Sequence, residues 1–191
     1  MNSNCGLNDV TRSYLAVYCS ILEEMIRGMT EAELTDSISH NFIVQMIPHH
    51  RAAIEMSKNI LKYTENEQIR EIAAGIVTEQ TKSIEDMREA GSRCSRCINS
   101  RQDVCMYQRR VEKILQTMFC RMKNARANNC LNCNFMWEMI PHHEGAVQMG
   151  TNAFEYAICP ELHPIIQAII TSQRRGILQM EGLLRQLCCG R

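Results

Sequence analysis

The sequence predicts an all-α protein built from two tandem three-helix repeats that are related by a pseudo-twofold axis. Apolar residues recur at helical spacing along the chain, and no segment alternates polar and apolar residues with the period of a β-strand. A shift of 93 residues brings the two halves of the 191-residue sequence into register without a gap. A chain of this length can bury a substantial core.

The clearest repeated segment is Met-Ile-Pro-His-His, which occupies residues 46–50 and again residues 139–143. We assign the first repeat to residues 10–91 and the second to residues 103–187, with a polar, cysteine-containing linker at 92–102. Ten of the 13 methionines form matched pairs under the shift, whereas none of the 11 cysteines matches another cysteine. The matched methionines and both His-His pairs therefore belong to the repeated pattern, whereas the cysteines do not.

Each repeat is expected to contain three helices. In the first helix, four apolar side chains lie within about 80° on a helical wheel: Tyr14, Ile21, Met25 and Met29. Residues 30–33 (Thr-Glu-Ala-Glu) match a capping box and are expected to start a new helical turn. The second helix is expected over about residues 39–63. The third has an apolar stripe with one embedded glutamine, and so does its copy: Ile69, Ile72, Ile76, Gln80, Ile84 and Met87, then Leu162, Ile165, Ile169, Gln173, Ile177 and Met180.

The second helix places a histidine in the middle of an apolar face. With His49 at 0° on the wheel, Met46 and Met56 lie within about 60° of it, and His50 lies near 100°, at the edge of the face. Pro48 is inside this helix, where it removes a backbone hydrogen bond and should cause a bend. The same pattern in the second repeat predicts a metal site with eight candidate ligands: Met46, His49, His50, Met56, Met139, His142, His143 and Met149.

Thioether and imidazole ligands together favour soft or borderline ions, above all Cu(I). Methionine is a poor zinc ligand, and no histidine has Glu or Asp three residues before it, as di-iron sites in four-helix bundles require. Gln80 and Gln173 are candidates to hydrogen-bond the metal-binding imidazoles. The competing interpretation is that the histidines are satisfied core residues, the methionines only fill space and the two glutamines are exposed.

The motif Phe-x-x-x-Met-Ile-Pro-His-His-x-x-Ala-x-x-Met, followed by a helix with Gln-x-x-x-Ile-x-x-Met, resembles the bacterial domain-of-unknown-function family 305. The resemblance covers both repeats and implies a ferritin-like helical bundle, with copper binding associated with some members. It also implies that the eight candidate ligands occupy the family's motif positions. The sequence departs from the family at Arg51 and Glu144, after each His pair, and at Ser83 and Gly176, where the third helix often has Glu.

The cysteines indicate additional chemistry. The pairs Cys94-x-x-Cys97 and Cys130-x-x-Cys133 are candidates for a four-thiolate zinc or Cu(I) site, although their separation exceeds the usual zinc-ribbon spacing. Alternatively, nearby arginines lower the pKa of these thiols and make them redox-active or disulfide-forming. Three further cysteines are expected to be small buried hydrophobic residues: Cys19, Cys120 and Cys159.

Composition excludes several classes of function. The chain has 21 basic and 21 acidic residues, and a net charge of zero argues against a nucleic-acid or membrane-surface partner. No apolar run is long enough to span a bilayer. The N-terminus lacks the features of a signal peptide, so a cytoplasmic location is expected. No phosphate-binding glycine loop, nucleophile elbow or pair of acid-base carboxylates is found, which disfavours an enzyme.

The leading hypothesis is a metal-binding protein that holds Cu(I) for storage, buffering or detoxification. One alternative is an oxidoreductase that uses a bound metal or the Cys-x-x-Cys pairs. Another is a structural helical protein that is cross-linked through its linker and terminal cysteines. The expected partner is a metal ion, and the expected assembly is either a monomer containing an internal pseudo-dimer or a disulfide-linked oligomer.

Overall fold

The computed structural model describes residues 6–94 and 97–187. This part of the chain contains six α-helices and no strand: α1 (Asp9–Thr30), α2 (Ile38–Leu61), α3 (Glu67–Cys94), α4 (Arg101–Lys123), α5 (Leu131–Ala153) and α6 (Leu162–Leu187). The predicted all-α class with two groups of three helices is confirmed. Within the described ranges, no helix has both the length and the apolar character needed to cross a membrane. The terminal pair Cys188 and Cys189 lies outside the described residues.

Side-chain caps, rather than the predicted capping box, start α1 and α2. Asn8 accepts a hydrogen bond from the backbone N–H of Thr11 and starts α1, and Ser37 accepts one from His40 and starts α2. The prediction that Thr30 starts a helical turn is wrong. Thr30 is the last residue of α1, and its hydroxyl donates back to the carbonyl of Ile26 at 2.8 Å.

Four helices form the centre of the molecule. Within each repeat α2 packs on α3, and α5 packs on α6; between the repeats α2 packs on α5, and α3 packs on α6. Helices α1 and α4 lie outside α2 and α5. Equivalent hydrogen bonds support the pseudo-twofold relation, since Asn59 donates to the carbonyl of Tyr14 at 3.1 Å and Asn152 to that of Tyr107 at 3.2 Å.

The matched methionines are core residues. All ten are at most 2% exposed, whereas the unmatched Met106 is 55% exposed. Gln80 and Gln173 are also buried, which contradicts the alternative that these two positions face solvent. Helices α2 and α5 continue through Pro48 and Pro141. The repeated Met and His positions therefore all face the inside of the bundle, as the wheel predicts.

Candidate metal centre

His49 and His142, here called the inner histidines, lie where α2 meets α5. Their rings stack with centroids 3.6 Å apart. The Nε2 of each ring hydrogen-bonds to the backbone carbonyl of the other residue, at 3.1 and 3.0 Å. Because a carbonyl oxygen can only accept, Nε2 carries the proton in both rings. In a neutral ring, Nδ1 then holds a free lone pair.

Burial keeps these imidazoles neutral. It lowers the pKa of His142 to about 4 and, reinforced by the neighbouring imidazoles, lowers the pKa of His49 well below its ordinary value. His50 and His143, here called the outer histidines, are buried as well. Burial lowers the pKa of His50 to about 3 and that of His143 well below the usual range. Neutral imidazole is the form that binds metal ions.

The Nδ1 atoms of all four imidazoles are buried and have no hydrogen-bond partner. Leaving one buried polar atom unpaired costs about 1–3 kcal/mol, so four together at the centre of a bundle require an explanation. Buried thioethers lie on the same helical faces, at Met46, Met56, Met139 and Met149. Unpaired imidazole nitrogens among thioethers are a donor set that fits a soft ion such as Cu(I).

The four imidazoles do not converge on one point. Among the described residues, three His, Cys, Asp or Glu ligand atoms lie within 4.8 Å of one another only at Cys94, Cys159 and Glu161. In this arrangement, an ion at the centre would contact at most two of the four histidines. Thioether sulfurs would have to complete its coordination, which is consistent with the matched methionines.

The outer histidines have different neighbours on the third helix of each repeat. The Nε2 of His50 lies 3.1 Å from the hydroxyl of Ser83. The equivalent residue in the second repeat is Gly176, where an added Cβ would lie only 2.9 Å from both Cδ2 and Nε2 of His143. The glycine therefore provides the space that the His143 ring occupies. Ser83 and Gly176 are two of the four positions at which the sequence departs from the pattern of the family it resembles.

Two cavities lie along the groove between α3 and α6. One of about 280 Å³ is lined by His143 and Gly176, and one of about 200 Å³ is lined by His50 and Ser83. Gln80 and Gln173 line both cavities. The side-chain amide of Gln80 and the Oε1 of Gln173 have no hydrogen-bond partner. The glutamines thus lie beside the outer histidines as expected, but no hydrogen bond from the Gln80 amide to an imidazole is formed.

Glu138 was not identified from the sequence. It is 1% exposed, and the hydroxyl of Tyr14 donates to its Oε2 at 2.6 Å. Burial raises the pKa of Glu138 to about 8, and the hydrogen bond from Tyr14 opposes this rise. The equivalent residue in the first repeat is Gln45, and the equivalent tyrosine, Tyr107, has a buried hydroxyl without a partner. A position-by-position comparison of the two repeats would have singled out this carboxylate, one turn before His142.

The structure does not bring the two Cys-x-x-Cys pairs together. Cys94, the last residue of α3, lies beside the start of α2, where its carbonyl accepts a hydrogen bond from Ser37 at 3.2 Å. Cys130 is the N-cap residue of α5. Helices α2 and α5 are antiparallel, because Ser39 at the start of α2 contacts Cys159, which follows the end of α5. The two pairs are therefore at opposite ends of α2 and α5, roughly 30 Å apart for helices of this length.

The individual cysteines differ in state and exposure. Cys133 is disulfide-bonded, and its Sγ lies 2.9 Å from that of Cys130, a free thiol. Burial raises the pKa of the Cys94 thiol and outweighs the lowering by Arg93, so the lowered pKa that the sequence predicts does not result. The expectation of buried cysteines is confirmed for Cys159 and wrong for the two that are exposed: Cys19 and Cys120.

Comparisons with known proteins identify relatives of this chain. The model of a family described as Domain of unknown function (DUF305) matches residues 20–91 and 101–188. The solved structure of CopM in the Cu(I)-bound form is 25% identical, with a TM-score of 0.58, and the match covers 82% of this chain and 99% of that one. CopM in the Cu(II)-bound form is also 25% identical, with a TM-score of 0.57 over 78% of this chain and 98% of that one.

A third structure shares the fold. It is a DUF305 fragment from Deinococcus radiodurans, 22% identical, with a TM-score of 0.57 over 78% of this chain and 97% of the fragment. A search of curated protein sequences finds no match. The fold therefore recurs in proteins whose solved forms include complexes with copper.

Proposed function

This chain belongs to the DUF305 family, and from that premise we propose that it is a copper-binding protein that holds Cu(I) between its two repeats. The observation that carries the proposal is the set of four buried Nδ1 atoms without partners. CopM, whose fold this chain shares, has been solved in Cu(I)-bound, Cu(II)-bound and Ag-bound forms. Storage, buffering or detoxification of the ion are the roles that such a site suits.

The proposed ligands are drawn from the eight repeated side chains, with at most two of the histidines on one ion: Met46, His49, His50, Met56, Met139, His142, His143 and Met149. The inner histidines are held by the reciprocal hydrogen bonds of their Nε2 atoms, so their Nδ1 lone pairs have a defined orientation. The thioethers select for a soft ion, because Met is a poor ligand for zinc. Copper is the cargo of such a site, and no reaction of the ion is needed to explain the arrangement.

The test is an anaerobic Cu(I) competition titration against a chromophoric chelator. We expect the double variant His49→Gln/His142→Gln to bind Cu(I) at least about 100-fold more weakly than the parent protein. A glutamine amide places an N–H near the position of the imidazole Nε2 and can keep the hydrogen bonds to the two carbonyls, but it lacks the Nδ1 lone pair. Helicity by circular dichroism should be unchanged. All proteins in this titration carry serine in place of every cysteine, so that no thiol contributes to Cu(I) binding.

The matched control is His40→Gln/His163→Gln, which makes the same chemical change at histidines outside the centre. His40 Nε2 hydrogen-bonds to the carbonyl of Glu33, and His163 is exposed. This control should bind Cu(I) like the parent. Unchanged Cu(I) affinity in the inner-histidine variant, or loss of its helicity, would instead identify the inner histidines as core residues.

A further inference from the structure

A second group of candidate metal-binding side chains lies beside the start of α2, away from the central histidines. The Sγ atoms of Cys94 and Cys159 and a carboxylate oxygen of Glu161 all lie within 4.8 Å of one another. The thiol of Cys159 donates to Oε2 of Glu161 at 2.9 Å. Both thiols are free and at most 2% exposed, whereas Glu161 is exposed. The group thus has a buried sulfur side and a carboxylate that faces solvent.

The backbone around these side chains is fixed by two buried serines of α2. Ser37 donates to the carbonyl of Cys94 at 3.2 Å, and the hydroxyl of Ser39 accepts the backbone N–H of Cys159 at 2.9 Å. Asn99 adds further links, since its Oδ1 accepts from the N–H of Ile38 and its Nδ2 donates to a carbonyl of the α5–α6 loop. Three separate segments of the chain are therefore held in a defined arrangement, as a preformed ligand site requires.

This group is not a product of the repeat. The positions equivalent to Cys94 and Cys159 under the 93-residue shift are Leu187 and Asn66. Cys94 is the last residue of α3 and lies in the predicted linker, whereas Cys159 and Glu161 belong to the second repeat. The group is therefore not repeated and lies where the two repeats meet.

We propose that Cys94, Cys159 and Glu161 form a zinc site that joins the two repeats and is distinct from the central copper site. Two thiolates and a carboxylate are ordinary ligands of tetrahedral Zn²⁺, whereas a carboxylate is a hard ligand that does not suit Cu(I). Cys97 is not part of this group, and its side chain would have to move to supply the fourth ligand. Its backbone N–H donates to the carbonyl of Cys94 at 3.1 Å, and the Cys-x-x-Cys spacing is common in zinc sites.

A reactive thiol is a less suitable assignment for these cysteines. Both thiols are at most 2% exposed, whereas nucleophilic cysteines lie in partially exposed surroundings. Binding of Zn²⁺ by Cys94, Cys159 and Glu161 would release two thiol protons and leave one excess negative charge. The charge of Arg93 acts favourably on both Cys94 and Glu161 and would offset that excess.

The experiment is a zinc competition titration on the reduced, full-length protein, together with Co²⁺ substitution. Cobalt bound by thiolates shows a charge-transfer absorption whose intensity increases with the number of thiolates. We expect one tight site with this absorption, lost in Cys94→Ser/Cys159→Ser and unchanged in Cys105→Ser/Cys120→Ser, which alters two exposed free thiols. The variant His49→Gln/His142→Gln should keep the zinc site, which separates this proposal from the copper proposal.

Glu161→Gln tests the site without disturbing the core, because this side chain is exposed. We expect its zinc affinity to fall by about tenfold or more, with thermal stability of the zinc-free protein unchanged. Two results would overturn the proposal. One is the absence of tight zinc binding by the reduced protein. The other is an affinity and a cobalt spectrum that do not respond to the replacement of Cys94 and Cys159 or of Glu161.

Discussion

The two outer histidines occupy equivalent positions in the repeats, yet their surroundings differ. The Nε2 of His50 contacts the hydroxyl of Ser83, whereas His143 faces Gly176 and a cavity of about 280 Å³. The inner histidines, in contrast, make the same hydrogen bond in both directions. The repeat thus preserves the proposed ligands, whereas the third-helix residue beside each outer histidine differs. Ser83 gives His50 a hydroxyl contact that Gly176 cannot give His143.

A second difference concerns charge. Tyr14 donates to the buried carboxyl group of Glu138, whereas the equivalent pair, Tyr107 and Gln45, has a buried hydroxyl and an amide oxygen without partners. The two sides of the molecule therefore carry the same tyrosine with an acid on one side and an amide on the other. Either Glu138→Gln or Gln45→Glu removes this difference, and the two changes together reverse it.

The largest effect is expected from Glu138→Gln, measured as unfolding free energy against pH. The folded pKa of about 8 exceeds the ordinary value of 4.5, so the folded protein keeps a proton that the unfolded chain has released. The stability of the parent should therefore fall as the pH rises from about 5 to 8, by at most about 1.4 kcal/mol per pH unit. The variant should lack this fall and be more stable at pH 9, by on the order of 3 kcal/mol.

The reciprocal variant Gln45→Glu serves as the matched comparison. It introduces a buried carboxyl group on the side of Tyr107, and it should create a second fall in stability over a similar pH range. Urea unfolding at a series of pH values measures both variants. Parallel profiles for the parent and Glu138→Gln would show that Glu138 is ionised in the folded protein at neutral pH.

The next effect tests the space at Gly176. In Gly176→Ala the new methyl group would lie 2.9 Å from two atoms of the His143 ring, so the ring must move. We expect a loss of about 1–3 kcal/mol in unfolding free energy, as for other overpacked cores. Gly182→Ala, on the same helix and with no atom within 4 Å of its added Cβ, is the control.

Gly182→Ala should stabilise the protein by about 0.5–1 kcal/mol, because alanine favours the helix over glycine. The two alanine variants should thus change stability in opposite directions in the same urea titration. Equal stabilisation of both would mean that His143 has another position available and does not depend on the glycine.

The smallest effect is expected from Ser83→Ala, which removes the contact of the hydroxyl with His50. Leaving the imidazole Nε2 without this partner should lower the unfolding free energy by about 1 kcal/mol. Ser172→Ala is a suitable control, since its hydroxyl donates only to the carbonyl of Ile169 within its own helix. A change below about 0.5 kcal/mol is expected there. Equal effects would show that the Ser83–His50 contact adds nothing to stability.

Much of the fold could be predicted because it depends on periodic patterns. Helical spacing placed His49 and the matched methionines on the buried face, and the 93-residue shift placed His142 on the equivalent face. Helix ends were harder to predict, because caps depend on single residues. Thr30 has the sequence features of an N-cap residue but closes α1, and Ser37 performs that role seven residues later.

The unmatched parts of the site could not be predicted from the sequence in the same way. Cys94 and Cys159 are 65 residues apart and meet only because α3 and the α5–α6 loop converge at the start of α2. No periodic signal records that convergence. The exposure of Cys19 and Cys120 was missed because cysteine is compatible with either environment, and only the packing of α1 and α4 decides between them.

The hydrogen bonds between His49 and His142 join residues 93 positions apart in the chain, and this separation has a consequence for folding. Helices and neighbouring helix pairs form through local contacts, whereas contacts that close long loops form late. Each repeat can collapse around its own methionines before it meets the other. The stacked rings exist only after both halves have docked, so the centre cannot be presented by a partly folded chain.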